Sequence, residues 1–205
     1  VLHSASLLYL EKAWLFSGPS GMGKSTHTAL WKKLFDTPFL NGDLNLIGKE
    51  GDQFVVYGIP WCGTSEIFTV EKKELGGIVL LEKAPEDKIV SLTKEQKTLR
   101  VMQRMISPPW TAGLMKKNLA FAEEIANEKP VYFLRCTKND TAAEVMQQNL
   151  SDWMTAGSAE RVLATLEDAI FRWNAGDRRD TKRTLAIEQP HKDGHLIHTE
   201  VVTTL

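Results

Sequence analysis

The stretch LFSGPSGMGKSTHTALW, residues 15–31, limits what this chain can fold into more than any other. An apolar, strand-like run ends in a glycine-rich turn, and a helix-like run opens on lysine, serine and threonine. Gly18-Pro19-Ser20-Gly21-Met22-Gly23-Lys24-Ser25 satisfies G-x-x-x-x-G-K-[ST] in full. Glycines at 18, 21 and 23 let the backbone turn tightly and aim N–H groups inward at phosphate oxygens. Lys24 can reach the β and γ phosphates as a mobile point charge. Ser25 offers a hydroxyl to Mg²⁺, and the helix that starts here presents the positive end of its dipole. The plain alternative is a glycine turn that only joins a strand to a helix. The strand before the loop and the helix after it favour a nucleotide loop, which by itself does not name a reaction.

The rest of the chain reads as an α/β domain with a mixed sheet. Residues 2–10 and 12–18 form two short paired strands, although their turn lacks the expected Gly or Asn. A helix over 24–35 is followed by Pro38. Residues 38–48 make one strand, 54–60 its return, and 60–66 a loop. GGIVLLEKA and PVYFLRC are buried strands, helices fall near 93–106 and 113–128, and TAAEVMQQNL is a further helix. A boundary is expected near residue 150. Beyond it, residues 158–176 form an amphipathic helix with Gly176 placed to stop it. DRRDTKR reads as a solvated linker, and residues 195–205 as a final strand.

Composition narrows the partners. A formal net charge of -1 gives no reason to expect nucleic acid, and no apolar run reaches the ~18 residues of a membrane span. Cys62 and Cys136 lack the spacing of a zinc site. Two reduced thiols and the use of ATP place the expected protein in the cytoplasm. The chain opens on Val1, so a trimmed start is expected.

Three features flank the loop. His3 lies on the strand expected beside the one that feeds the loop. Asp43 follows the loop's helix, where an acid can meet a metal. YGIPWCG is a rigid proline–tryptophan turn. These segments, LHSASLLY, LFSGPSGMGKSTHTALW, LNGDLNLI, VYGIPWCG and GGIVLLEKA, together resemble the catalytic domain of HPr kinase/phosphorylase and its smaller relatives, whose fold is shared with phosphoenolpyruvate carboxykinase. The resemblance covers residues 1–150. It leaves 151–205 as a C-terminal helical and strand appendage.

The resemblance implies a kinase that uses ATP and Mg²⁺ to phosphorylate a serine hydroxyl of a protein or peptide. It assigns Gly18, Ser20, Gly21, Met22, Gly23, Lys24, Ser25 and Thr26 to the phosphate cradle, and Ser25 and Asp43 to the metal. Asp43, His3 and Lys24 become the catalytic residues: Asp43 takes the hydroxyl proton, His3 assists near the reacting phosphate, and Lys24 neutralises charge. The family's acidic pair is NGD here, so Asp43 is its one acid and Asn41 is expected to supply an oxygen ligand. HPr kinase's basic signature residues have no match. A kinase for free serine and a nucleotide-binding regulatory module remain open, and self-association into a homo-oligomer is expected.

Other residues carry weaker expectations. Pro60 and Trp61 read first as a structural plug, with substrate contact second. Glu66 reads as a surface glutamate before a ligand. Arg100 and Arg104, one helical turn apart, read as a solvated face before a phosphate clamp. His191, His195 and His198 lack the acidic or thiol partners of a metal site.

Overall fold

In the computed structural model the backbone is described for residues 1–174, 182–190 and 196–204, and side chains for residues 1–157. Strands β1 (Leu2–Tyr9) and β2 (Lys12–Ser17) pair antiparallel, with Tyr9 opposite Lys12. That register leaves a two-residue turn, and both Leu10 (φ 51°) and Glu11 (φ 60°) adopt the left-handed conformation. The turn has the handedness that suits a twisted hairpin, made without the glycine or asparagine that normally marks it. Burial of the Leu10 side chain offsets the backbone cost.

Helix α1 (Lys24–Phe35) follows, then β3 (Phe39–Asn41), β4 (Leu44–Glu50) and β5 (Gln53–Tyr57). Strand β6 (Lys72–Lys83) precedes the short β7 (Lys88–Val90), helices α2 (Lys94–Met102) and α3 (Ala112–Glu128), and β8 (Val131–Cys136). The sheet is mixed. β6 runs parallel to β2 and β8 and antiparallel to β5. Pairing passes from β2 through β1, β4, β5 and β6 and returns to β2.

Side chains alternate across β2. Ala13 and Leu15 join a core with Phe54, Ile78, Val101 of α2 and Ile125 of α3. Trp14 and Phe16 are buried on the other side. There Phe16 meets Trp31 of α1 at 5.7 Å, and Trp31 packs edge-on against Tyr9 at 5.1 Å. The register shifts at Trp14, leaving Gly76 as a bulge. A Cβ at Gly76 would stand 2.6 Å from the Trp14 ring, and one at Gly77 2.7 Å. The glycine pair makes room for an indole.

His27 belongs to the same aromatic layer. Its Nε2 accepts the Trp31 indole N–H at 3.2 Å, and its ring lies 4.9 Å from Phe16. Burial pushes its pKa down from 6.5 to about 4, against a smaller opposing pull from Asp87. The folded protein therefore keeps His27 neutral where the unfolded chain protonates it. This contribution is complete above pH 6.5 and shrinks as pH falls toward 4, by roughly 3 kcal/mol across the window. Urea unfolding at pH 7 and 4.5 should show His27→Gln losing less stability over this interval than wild type. Parallel losses would place the acid sensitivity elsewhere.

Several expectations need correction. Residues 38–48 are two strands, broken at Gly42-Asp43, because buried polar groups stitch the break. Ser6 Oγ donates to Asn45 Oδ1 at 2.6 Å, Asn45 Nδ2 donates to the Ser4 carbonyl at 2.6 Å, and the Asn41 N–H donates to Ser6 Oγ at 3.0 Å. Strand β6 begins at Lys72 rather than at the glycine pair.

The chain divides into two compact units, Val1–Met146 and Gln147–Leu205. Helix α4 (Asp140–Asn174) is continuous, where two helices were expected. Its polar residues near 150 are satisfied within the helix: the Thr155 hydroxyl donates to the Ser151 carbonyl at 3.0 Å and Gln147 Nε2 to Ser151 Oγ at 3.2 Å. The second unit also holds an antiparallel hairpin, β9 (Lys182–Pro190) and β10 (Leu196–Thr204). β9 begins inside the charge run read as a linker. Gly176, the expected helix stop, lies outside the described residues.

Candidate functional site

The glycine loop joins β2 to α1. Gly21 (φ 72°) and Gly23 (φ 104°) hold left-handed conformations, so side chains there would strain the turn. A Cβ at Gly18 would approach the Met22 side chain at 3.0 Å and the Leu81 carbonyl at 3.2 Å. No side chain caps the start of α1, and its first turn holds no acid. Its leading N–H groups are thus available to an anion. Ser20, Gly21, Ser25 and Thr26 are exposed, Gly18 is buried, and Met22 and Gly23 are half-buried.

Lys24 is 8% exposed, its ammonium donating to the Gly18 carbonyl at 3.5 Å. Burial lowers its pKa from the usual lysine value; Asp43 raises it and Arg104 lowers it further. These three charges therefore act on one another beside the loop.

His3 and Asp43 do meet: His3 Nε2 lies 3.2 Å from Asp43 Oδ1, both side chains partly open to solvent. The fold fixes each through its backbone. The Ser4 N–H donates to the Asp43 carbonyl at 2.9 Å, and the His3 N–H donates to the Arg104 carbonyl at 2.9 Å. Ser17, the last residue before the loop, donates its hydroxyl to the His3 carbonyl at 2.7 Å. This couples the carboxylate–imidazole pair to the loop through β1 and β2.

Asn41 is no metal ligand. It is fully buried, and its side-chain oxygen accepts the N–H groups of Asp43 at 2.9 Å and Leu44 at 3.1 Å, while its amide donates to the Ile59 carbonyl. Its role is to hold the turn that presents Asp43.

The proline–tryptophan loop packs on the same turn. The Leu44 N–H donates to the Trp61 carbonyl at 3.3 Å, and the Gly42 N–H to the Ile67 carbonyl at 3.0 Å. A Cβ at Gly42 would collide with Ser65 Oγ at 1.9 Å, and one at Gly63 would stand 2.9 Å from the Asp43 carboxyl carbon. Gly63 belongs to the proline–tryptophan stretch that helped carry the resemblance, but the close approach of this loop to Asp43 was not foreseen from the sequence. Trp61 is not a plug, since its side chain is 62% exposed. Glu66 is exposed in a left-handed conformation. The Arg100 guanidinium stacks over Phe133 at 4.2 Å. Arg100 and Arg104 line a cavity of about 130 Å³ with Gly18. Arg104, just past α2, is thus beside the loop rather than on a solvated face.

Among the described residues no cluster of three or more His, Cys, Asp or Glu could hold a metal alone. His191 and His195 lie outside the described residues, and of His198 only the backbone position on β10 is described. Cys62 and Cys136 are free thiols. No described helix is long and apolar enough to cross a membrane.

Together these elements define a mixed α/β chain whose glycine loop is flanked by a carboxylate, an imidazole and two guanidiniums. No family model matches the chain, and no curated protein matches its sequence. Among solved structures it is similar to the Hpr(Ser) kinase/phosphatase from Coxiella burnetii. That likeness has 10% identity and a TM-score of 0.41, covering 76% of this chain and 94% of the other.

Proposed function

We propose that this chain is a cytoplasmic, ATP- and Mg²⁺-dependent kinase that transfers the γ-phosphate to a serine hydroxyl of a protein or peptide. The observation that carries this reading is the pairing of Asp43 with His3 at 3.2 Å within the electrostatic reach of Lys24. Loop N–H groups and the Lys24 ammonium bind the donor's phosphates. Asp43 orients the incoming hydroxyl. As the oxygen–phosphorus bond forms and the bridging bond to the nucleoside diphosphate breaks, Asp43 takes the hydroxyl proton. His3 holds the carboxylate in place and shares its charge. Arg104, which acts on Lys24 and lines a cavity with Gly18, would help steady the charge that shifts toward the leaving group.

The donor set fits magnesium, which commonly takes one or two protein oxygens and completes its shell with phosphates and water. The Ser25 hydroxyl and the Asp43 carboxylate would hold it. When bound, it supplies positive charge to the phosphate oxygens.

A polypeptide acceptor is favoured by the surface next to Asp43. Trp61, Ile67, Phe68 and Val70 are all exposed on the loop that packs against its turn, with Val70 at 87%. Four exposed apolar side chains on one loop suit a macromolecular partner better than a small polar metabolite. Incubation with γ-labelled ATP, Mg²⁺, serine-bearing peptides and free serine tests the reading. Label on a peptide serine is expected. Label on free serine alone would move the function to a metabolite kinase. Tight ATP binding without transfer to any acceptor would overturn catalysis.

A further inference from the structure

Apart from Leu46, the exposed large apolar side chains of the described residues fall in two groups, one on the loop beside Asp43 and the other between residues 99 and 119. The second group belongs to the hairpin of α2 and α3 and takes no part in the chemistry above. Leu99, Ile106 and Trp110 are each more than half exposed, and Met115 and Leu119 are exposed one turn apart on α3. The Lys94–Glu123 ion pair, at 3.5 Å, joins the start of α2 to the end of α3, so the two helices run antiparallel. At about 1.5 Å per residue, that pairing puts Leu99 and Leu119 at nearly the same level. Ile106 and Trp110 lie on the connecting residues 103–111, which also reach the catalytic pair. β2 leaves the edge of β1 at Ser17, opposite Ser4. Residues 104–106 continue along that edge: the Arg104 carbonyl accepts the His3 N–H, Met105 bridges Leu2, and the Ile106 N–H donates to the Val1 carbonyl at 2.8 Å. Trp110 is six residues beyond Arg104 and thus at most about 22 Å from it.

Charge on the hairpin is one-sided. Residues 94–119 hold six cations and one anion, Glu95, in a chain whose formal net charge is -1. Lys94 is paired with Glu123, but Lys97, Lys116 and Lys117 form no ion pair with a described residue. Lys116 and Lys117 are exposed on α3, directly after Met115. Lysines elsewhere are commonly matched, as Lys33 is by Asp140 and Lys72 by Glu50. We propose that the hairpin and its connector dock an acidic, apolar segment of the acceptor polypeptide, lying within about ten residues of the serine, and thereby select the acceptor. This rests on the reading of a polypeptide acceptor above. Carboxylates of such a segment would meet the unpaired lysines, and its apolar side chains would cover Trp110, Met115 and Leu119. Trp110 is the expected anchor, because an aromatic desolvated on binding carries more of the energy than the rim charges around it. A polypeptide suits the face better than a lipid surface does. The connector runs from the face into the sheet beside His3, so one chain can occupy both the hairpin and the site.

The test measures binding of three fluorescent, serine-free peptides to the full chain by anisotropy: glutamate with leucine, lysine with leucine, and glutamate with alanine. The first should bind at least about tenfold tighter than the others, and less tightly as salt is raised. Trp110→Ala and the double variant Lys116→Glu/Lys117→Glu should each weaken it at least about tenfold. All three positions are exposed, and ATP affinity within about twofold of wild type reports an intact fold. Joining the glutamate–leucine segment to a serine peptide should lower KM about tenfold at constant kcat, an advantage that the variants lose. Equal binding of the three peptides, or variants that bind as well as wild type, would overturn the proposal. So would the absence of peptide binding together with phosphatidylglycerol-vesicle binding or self-association that the variants abolish, since the face would then belong to a membrane or to a second copy. Phosphorylation of serine peptides at the same KM with or without the segment would leave the kinase reading intact and overturn the docking. Variant-sensitive peptide binding with no transfer to any serine would leave the docking in place and sink the kinase reading.

Discussion

Replacing Asp43 by asparagine is expected to slow phosphoryl transfer by about two to four orders of magnitude, the usual contribution of a positioned general base. The substitution is nearly isosteric, and the features that place this residue do not depend on its charge. Its backbone N–H is held by Asn41 Oδ1 and its carbonyl by the Ser4 N–H. An amide oxygen can still accept from His3. The missing property is basicity, together with one negative charge near Lys24 and the proposed magnesium site. Binding of ATP should therefore weaken modestly while the chemical step collapses. Single-turnover transfer at saturating ATP and Mg²⁺ separates the two effects. A variant that keeps more than about a tenth of the wild-type rate would assign the proton to another group.

What could be foreseen in the sequence, and what could not, follows from the range of the interactions involved. The strand–glycine turn–helix connection was legible because its defining residue types all fall at fixed spacing within eight positions. Local periodicity likewise marked α1 and the buried strands. How the fold holds Asp43 was not legible. It depends on a strand break secured by Ser4, Ser6 and Asn45, and on Gly63, twenty positions away, where an added Cβ would stand 2.9 Å from the carboxyl carbon. Asn41 looked like a ligand because its amide oxygen is chemically suited to one. Only the fold reveals that this oxygen already serves two N–H groups. The Leu10-Glu11 turn hid for a related reason, since tertiary burial overrode the residue preferences of the turn. β7 is three residues long, too short for alternation to register. A second cavity beside the loop, of about 370 Å³, is drawn from segments as distant as Met22 and Lys138, which no local pattern connects.

Lys24→Ala is expected to weaken ATP binding by at least about thirtyfold, or about 2 kcal/mol, the lower end of the cost of removing one partner from a buried charge pair. Its effect on the unliganded protein should run the other way. Lys24 is 8% exposed, and its ammonium makes a long 3.5 Å contact with the Gly18 carbonyl and feels Arg104. Burial is the leading reason its pKa is lowered, and the attraction of Asp43 only opposes that pull. The site thus stores a desolvation cost that a polyphosphate would relieve. Truncation removes this cost along with the charge, so the ligand-free melting temperature should hold steady or rise while the stabilisation conferred by ATP largely disappears. A thermal-shift titration with and without ATP and Mg²⁺ reads both quantities in one experiment. A variant that melts much lower without ligand would make Lys24 a structural residue. One that keeps the full ATP-dependent shift would remove it from the phosphate cradle. The expected pattern, binding lost while stability is kept, is the signature of a charge positioned for a ligand rather than for the fold.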